Sequence, residues 1–85
     1  MEKMKQLDTI LVFTADGCAA CRDLVEDFKR RGVDFHEVNL SRQPREMDTL
    51  RRYSWEHRLP VVVDHERVSI GFEGGSSSFK ELGLE

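Results

Sequence analysis

Cys18 and Cys21 are the only two cysteines in a chain of 85 residues, and only Ala19 and Ala20 separate them. Thiol–disulfide exchange needs one thiolate that attacks and a second thiol that resolves the mixed disulfide. Cysteines at i and i+3 on one helical turn lie near enough to do both. The residues after Cys18 carry a helical stripe: Cys21, Leu24, Val25 and Phe28 fall at i, i+3, i+4 and i+7. Cys18 therefore stands at a helix start, where unpaired backbone N–H groups and the positive end of the helix dipole favour a thiolate. Arg22 adds to this effect, and Asp16 opposes it if its carboxylate points the same way. Cys18 follows a loop and is expected to be the more exposed thiol, hence the nucleophile. Cys21 belongs to the apolar stripe and is expected to be the sheltered, resolving thiol. Ala19 and Ala20 are small and leave Cys18 open to a protein partner.

The competing uses of such a pair fit less well. A disulfide across so short a loop removes little entropy from the unfolded chain, so it is a poor structural staple. Zinc prefers four ligands, and there is no second cysteine pair. His36, His57 and His65 are scattered over a strand, a pre-proline segment and a turn. An iron–sulfur cluster or metal shared between two chains stays open as the alternative, that of a redox-inactive binding module.

Several elements must hold this pair. Thr9–Thr14 is β-branched, aromatic and apolar on both faces, the pattern of a strand covered on both sides. Ala15-Asp16-Gly17 breaks it, and Gly32 is placed to end the following helix in a left-handed cap. Val33–Leu40 reads as a second strand. Ser41 can cap a second helix with Pro44 in its first turn, running through Met47 and Leu50 towards Tyr53 or Trp55. Met47 and Leu50 read as core, and Tyr53 and Trp55 as packing residues, with a partner contact as their less favoured role. Pro60 opens the buried strand Val61–Val63, and Asp64-His65-Glu66 turns the chain into Arg67–Ile70 to make a hairpin. Gly71 and Gly74–Ser78 form a loop, one serine of which caps a last short helix carrying Phe79 and Leu82. No lysine follows those glycines, so the serine run is a loop and cap and not a phosphate cradle. The order is β-α-β-α-β-β-α, an α/β domain over residues 1–85 whose first two strands are parallel and last two antiparallel.

Charged residues make up 34% of the chain and the net charge is −3, a mildly acidic balance. It argues against a nucleic-acid or membrane-surface binder, because counterion release needs a net basic face. The apolar run Ile10–Phe13 is too short for a signal peptide or a membrane span, so the reading is of a cytoplasmic monomer. Arg42, Arg45, Arg51, Arg52 and Arg58 make one segment locally basic. It suits either a docking face for an acidic partner or, as favoured from sequence, a solvated helix surface with an Asp48–Arg52 pair.

Three stretches resemble the thioredoxin superfamily and, within it, the glutaredoxin-like redoxins: Phe13–Cys21, Leu59–Val63 and Ile70-Gly71-Phe72. The spacing from Pro60 to Gly71-Phe72 is similar to that of the redoxins that reduce ribonucleotide reductase. The resemblance implies a mixed four-stranded sheet flanked by helices and a dithiol disulfide reductase with Cys18 and Cys21 as its catalytic pair. It also implies a cis Leu59–Pro60 bond facing the cysteines, with Leu59 and Pro60 as substrate shelf and Gly71 and Phe72 as the neighbouring wall. No tightly bound cofactor is implied. Partners would be a disulfide-containing protein and an electron donor, either glutathione or a flavoprotein thioredoxin reductase. The departures bear on that donor. Ala19-Ala20 stands where glutaredoxins have Pro-Tyr, Ala15 where a lysine meets glutathione, Arg58-Leu59-Pro60 where Thr-Val-Pro is usual, and Gly71-Phe72-Glu73-Gly74 where Gly-Gly precedes acidic residues. Each weakens the case for glutathione, while His57 and Arg58 can still supply positive charge beside the groove and keep glutathione open as donor.

Overall fold

Ile10–Thr14 forms β1, and it is apolar on both faces because both are covered. Val12 faces a cluster with Leu24, Val25 and Phe28 of the first helix, while Phe13 faces a second cluster that holds Val38, Leu40, Leu50 and Val61. The computed structural model describes residues 10–64 and 67–84. Thr9 of the expected first strand and His65-Glu66 of the expected hairpin turn lie outside these.

The first helix, α1, runs Ala19–Arg30 and buries the four residues of the sequence stripe, Cys21, Leu24, Val25 and Phe28. Its end is a Schellman closure: Gly32 takes φ +73°, its N–H donates to the Lys29 carbonyl, and the Val33 N–H donates to the Phe28 carbonyl. β2, Phe35–Asn39, then pairs in parallel with β1, Ile10 opposite Phe35 and Thr14 opposite Asn39. After a single 3-10 turn at Pro44–Glu46, α2 is only Met47–Arg51, shorter than the sequence expects. Ser41 does not cap it. Its hydroxyl instead accepts the Asp16 backbone N–H.

β3 is Arg58–Leu59, β4 is Val61–Val63, β5 is Val68–Ile70 and β6 is Ser77–Ser78. The main sheet has four strands in the order β2-β1-β4-β5, with β4 antiparallel to both neighbours. β3 and β6 form a separate two-stranded ribbon that the sequence does not announce. Among the described residues the expected third helix is absent. Ser78 and Glu81 do make a reciprocal capping box, the Ser78 N–H donating to Glu81 and the Glu81 N–H to the Ser78 hydroxyl. Gly83 at φ +75° then ends the turn, with the Leu84 N–H on the Phe79 carbonyl, before an α-helix is established. Start and stop signals stand too close together for a helix to grow.

Candidate active site

The Ala15-Asp16-Gly17 loop carries the chain from the end of β1 to the start of α1. Two positions shape it. Gly17 has φ +86°, which a side chain would resist, and Asp16 is fastened to the segment after β2. The Asp16 N–H donates to the Ser41 hydroxyl, and its carboxylate accepts from the Asn39 amide at 3.1 Å and lies 3.6 Å from the Arg42 guanidinium. The other end of the Asn39 amide accepts the Ser41 and Arg42 N–H groups. The Asp16 carboxylate is thus engaged with Asn39 and Arg42.

Cys18 is the N-cap of α1, extended at φ −91° and ψ 102°, and its sulfur accepts the Cys21 N–H at 3.1 Å. One of the orphan donors of the helix start therefore points at this sulfur, and the first turn carries no acidic residue. Cys18 and Cys21 are disulfide-bonded, with their Cα atoms 5.2 Å apart. Their expected difference in exposure is not found: Cys18 is 4% and Cys21 2% exposed. Both belong to the buried cluster with Leu59 and Phe79, and Leu82 and Leu84 pack against it. Phe79, Leu82 and Leu84 come from the C-terminal turn, far along the chain from the loop that suggested an open thiol.

The Leu59–Pro60 bond is cis, and both residues are buried, Leu59 within the cysteine cluster. One edge of Leu59 is taken by β6, opposite Ser77. The Gly71 N–H donates to the Pro60 carbonyl, which brings that glycine beside the shelf. The Phe72 ring departs from the expected wall and packs in the α1 cluster with Val12 and Leu24. Its backbone closes a tight hairpin with Gly75, through Glu73 and Gly74 at φ +51° and +83°. Gly75 rests on Ala20, with 3.7 Å between the Ala20 Cβ and the place a Gly75 Cβ would take. The second residue between the cysteines is therefore sheltered, and Ala19 alone is exposed.

Two further features escape sequence reasoning. The buried Thr14 hydroxyl donates to the Glu37 carboxylate at 2.7 Å. Glu37, Arg22 and Lys29 line a cavity of about 380 Å³ that also touches Cys18 and Cys21. Arg58, one residue before the shelf, donates its Nε to the Ser76 hydroxyl. A pairing of Thr14 with Glu37 could be read only once the parallel β1–β2 register was known. Among the described residues no group of three or more His, Cys, Asp and Glu is placed to hold a metal ion. No helix among them is long and apolar enough to cross a membrane.

A disulfide-bonded pair opening a helix beneath a cis-proline loop, on a mixed β2-β1-β4-β5 sheet, defines a dithiol redox protein of the thioredoxin fold. Residues 10–68 match the family model for glutaredoxin, and the chain belongs to that family. It is 30% identical over 63 residues to the glutaredoxin-like protein NrdH of Escherichia coli K12, covering 74% of this chain and 76% of the relative. It is 25% identical to an uncharacterized glutaredoxin-like protein of the rubredoxin operon of Clostridium pasteurianum, over 74% of this chain and 84% of that protein. The solved structure of NrdH-redoxin from Escherichia coli superimposes with a TM-score of 0.65 and 29% identity, covering 76% of this chain and 84% of the other. That redoxin is described as having a thioredoxin-like activity profile.

Proposed function

We propose that this protein is a disulfide reductase in which Cys18 attacks and Cys21 resolves. The reduced Cys18 thiolate attacks one sulfur of a substrate disulfide and expels the other as a thiolate, which takes up a proton. Cys21 then gives up its proton and attacks the Cys18 sulfur, closing the Cys18–Cys21 disulfide and releasing the second substrate thiol. Two electrons pass from the dithiol to the substrate. The observation that carries the reading is the capping geometry: the Cys21 N–H is directed at the Cys18 sulfur at the N-terminus of α1. A group held there is favoured as an anion, so Cys18 is the better attacking and leaving sulfur.

Leu59 and Pro60 are assigned as the shelf on which the substrate lies extended, and Gly71 as its neighbour; Phe72 contributes only backbone. For the electron donor we favour a flavoprotein of the thioredoxin-reductase type over glutathione. Support comes from the likeness to a redoxin with a thioredoxin-like activity profile and from Ala15, Ala19 and Ala20 at positions where glutathione contacts are usual. The substrate class is a protein disulfide.

The test is turnover of a protein disulfide by native protein, Cys18→Ser and Cys21→Ser. Cys18→Ser should be inactive, and Cys21→Ser should accumulate a mixed disulfide through Cys18. Trapping through Cys21 in the Cys18→Ser variant would reverse the roles. Reduction of the oxidised pair by glutathione at a rate matching that by thioredoxin reductase would overturn the choice of donor.

A further inference from the structure

From sequence Trp55 is expected to pack, with a partner contact as the less favoured role; the structure puts it outside. It is 70% exposed, by far the most exposed large apolar side chain among the described residues. It is not loose, because the Arg51 guanidinium lies 5.5 Å from its ring centroid. Tyr53, two residues before it, is also exposed, with its ring 6.4 Å from that of the buried Phe13. An ordered, outward-facing tryptophan stacked with an arginine has the composition of an interface hot spot.

Charge says what would dock there. Residues 42–58 hold five arginines against three carboxylates, a net of +2, which leaves −5 on the rest of a chain whose net charge is −3. The expected Asp48–Arg52 pair is not formed: Asp48 reaches Arg51 at 3.9 Å. Arg51, Arg52 and Arg58 are all exposed. The segment is therefore locally basic on an otherwise acidic protein, with Arg51 and the exposed Trp55 in contact within it.

Position connects it to the dithiol. Trp55 is four residues before Leu59, which lies in the cysteine cluster. Four residues span at most about 14 Å, so a substrate lying extended on the shelf reaches this segment within a few residues of its own disulfide. We infer that Arg51, Arg52 and Trp55 form a docking surface for an acidic segment of the disulfide-bearing protein, flanking its cystine. The surface steers encounter and selects among disulfides, and the chemistry remains with the cysteines. The inference rests on the reductase reading above.

The test uses three synthetic peptides with the same central disulfide, flanked by glutamates, serines or lysines. The prereduced protein is mixed with each, and the second-order rate constant is followed by fluorescence of Trp55, the only tryptophan, with released thiol as an independent readout. At low ionic strength the glutamate peptide should react about tenfold faster than the lysine peptide. The ratio should fall towards one in about 0.5 M salt and in Arg51→Gln/Arg52→Gln, and Trp55→Ala should slow the glutamate peptide most. A ratio near one in the native protein, or a faster lysine peptide, overturns the inference while leaving the reductase intact. A ratio that survives the double substitution places the selecting surface elsewhere and overturns it too. If the serine peptide also fails to react, the reductase reading falls, and the docking surface with it.

Discussion

Replacing Gly71 with alanine is expected to cost about 2–3 kcal/mol, clearly more than the same change at Gly74, although both glycines have positive φ. Gly71 has φ +92° and Gly74 φ +83°, so each substitution forces a side chain into left-handed backbone at about 1–2 kcal/mol. What differs is the surroundings. A Cβ on Gly71 would lie 2.9 Å from the Gly75 carbonyl oxygen, whereas nothing lies within 4 Å of one on Gly74. That oxygen accepts the Phe72 N–H at 2.8 Å in the bond that closes the hairpin, and the Gly71 N–H itself holds the Pro60 carbonyl at 2.8 Å. Moving backbone to relieve the clash weakens at least one of these bonds, at about 1 kcal/mol. Urea denaturation measures both variants; with an m-value of about 1 kcal/mol per molar for so small a protein, the midpoints should fall by about 2–3 M for Gly71→Ala and about 1–2 M for Gly74→Ala. Because Gly75 rests on Ala20, Gly71→Ala should also slow disulfide reduction. Equal midpoints for the two variants would refute the steric argument and leave only the shared backbone cost.

Three other changes test separate parts of the molecule. Thr14→Val should cost about 1 kcal/mol in thermal or urea melts by removing the hydrogen bond to Glu37; Glu37→Ala added to it should cost little more, and full additivity would show the bond to be idle. Asn39→Ala removes one side-chain partner each from Asp16, Ser41 and Arg42; about 1–2 kcal/mol should be lost, with faster amide exchange at Ser41 as the local signature, and unchanged exchange there would refute the clamp. Asp27→Asn breaks ion pairs to the exposed Arg30 and Arg31; the loss should stay below about 1 kcal/mol and vanish in high salt.

What the sequence makes legible is whatever local spacing controls. The stripe Cys21, Leu24, Val25 and Phe28 and the cap at Gly32 define α1 without reference to the rest of the chain. β1 and β4 declare themselves through runs apolar on both faces. The misreadings arise where neighbours, near or distant, override the local signal. Ser41 suits a helix cap until Asp16 takes its hydroxyl, and α2 shortens. Ser78 and Glu81 carry a true helix-start signal, cut off by Gly83. Cys18 follows a loop and should be open, but Phe79 and its neighbours close over the cluster. Trp55 is apolar and should pack, but it lies outside, with the Arg51 guanidinium against its ring. For the candidate site, the two cysteines and the Leu59–Pro60 step could be named in advance. Ala20 under Gly75 could not, since that contact depends on a hairpin whose turn residues include Glu73 in a conformation unusual for it.

The sulfur of Cys18 is also the cap of α1. Its bonding state and the satisfaction of the Cys21 N–H are therefore the same variable, and folding and electron uptake close a thermodynamic cycle. Whichever redox form gives the more stable fold is, by that same free energy, the form the native chain prefers relative to the unfolded pair. Denaturation of the oxidised and the reduced protein side by side would thus weigh how strongly the fold biases the pair towards giving or keeping its electrons, with no electrode in the experiment. A substitution remote from the cysteines that changes only the quality of this cap would shift both quantities together.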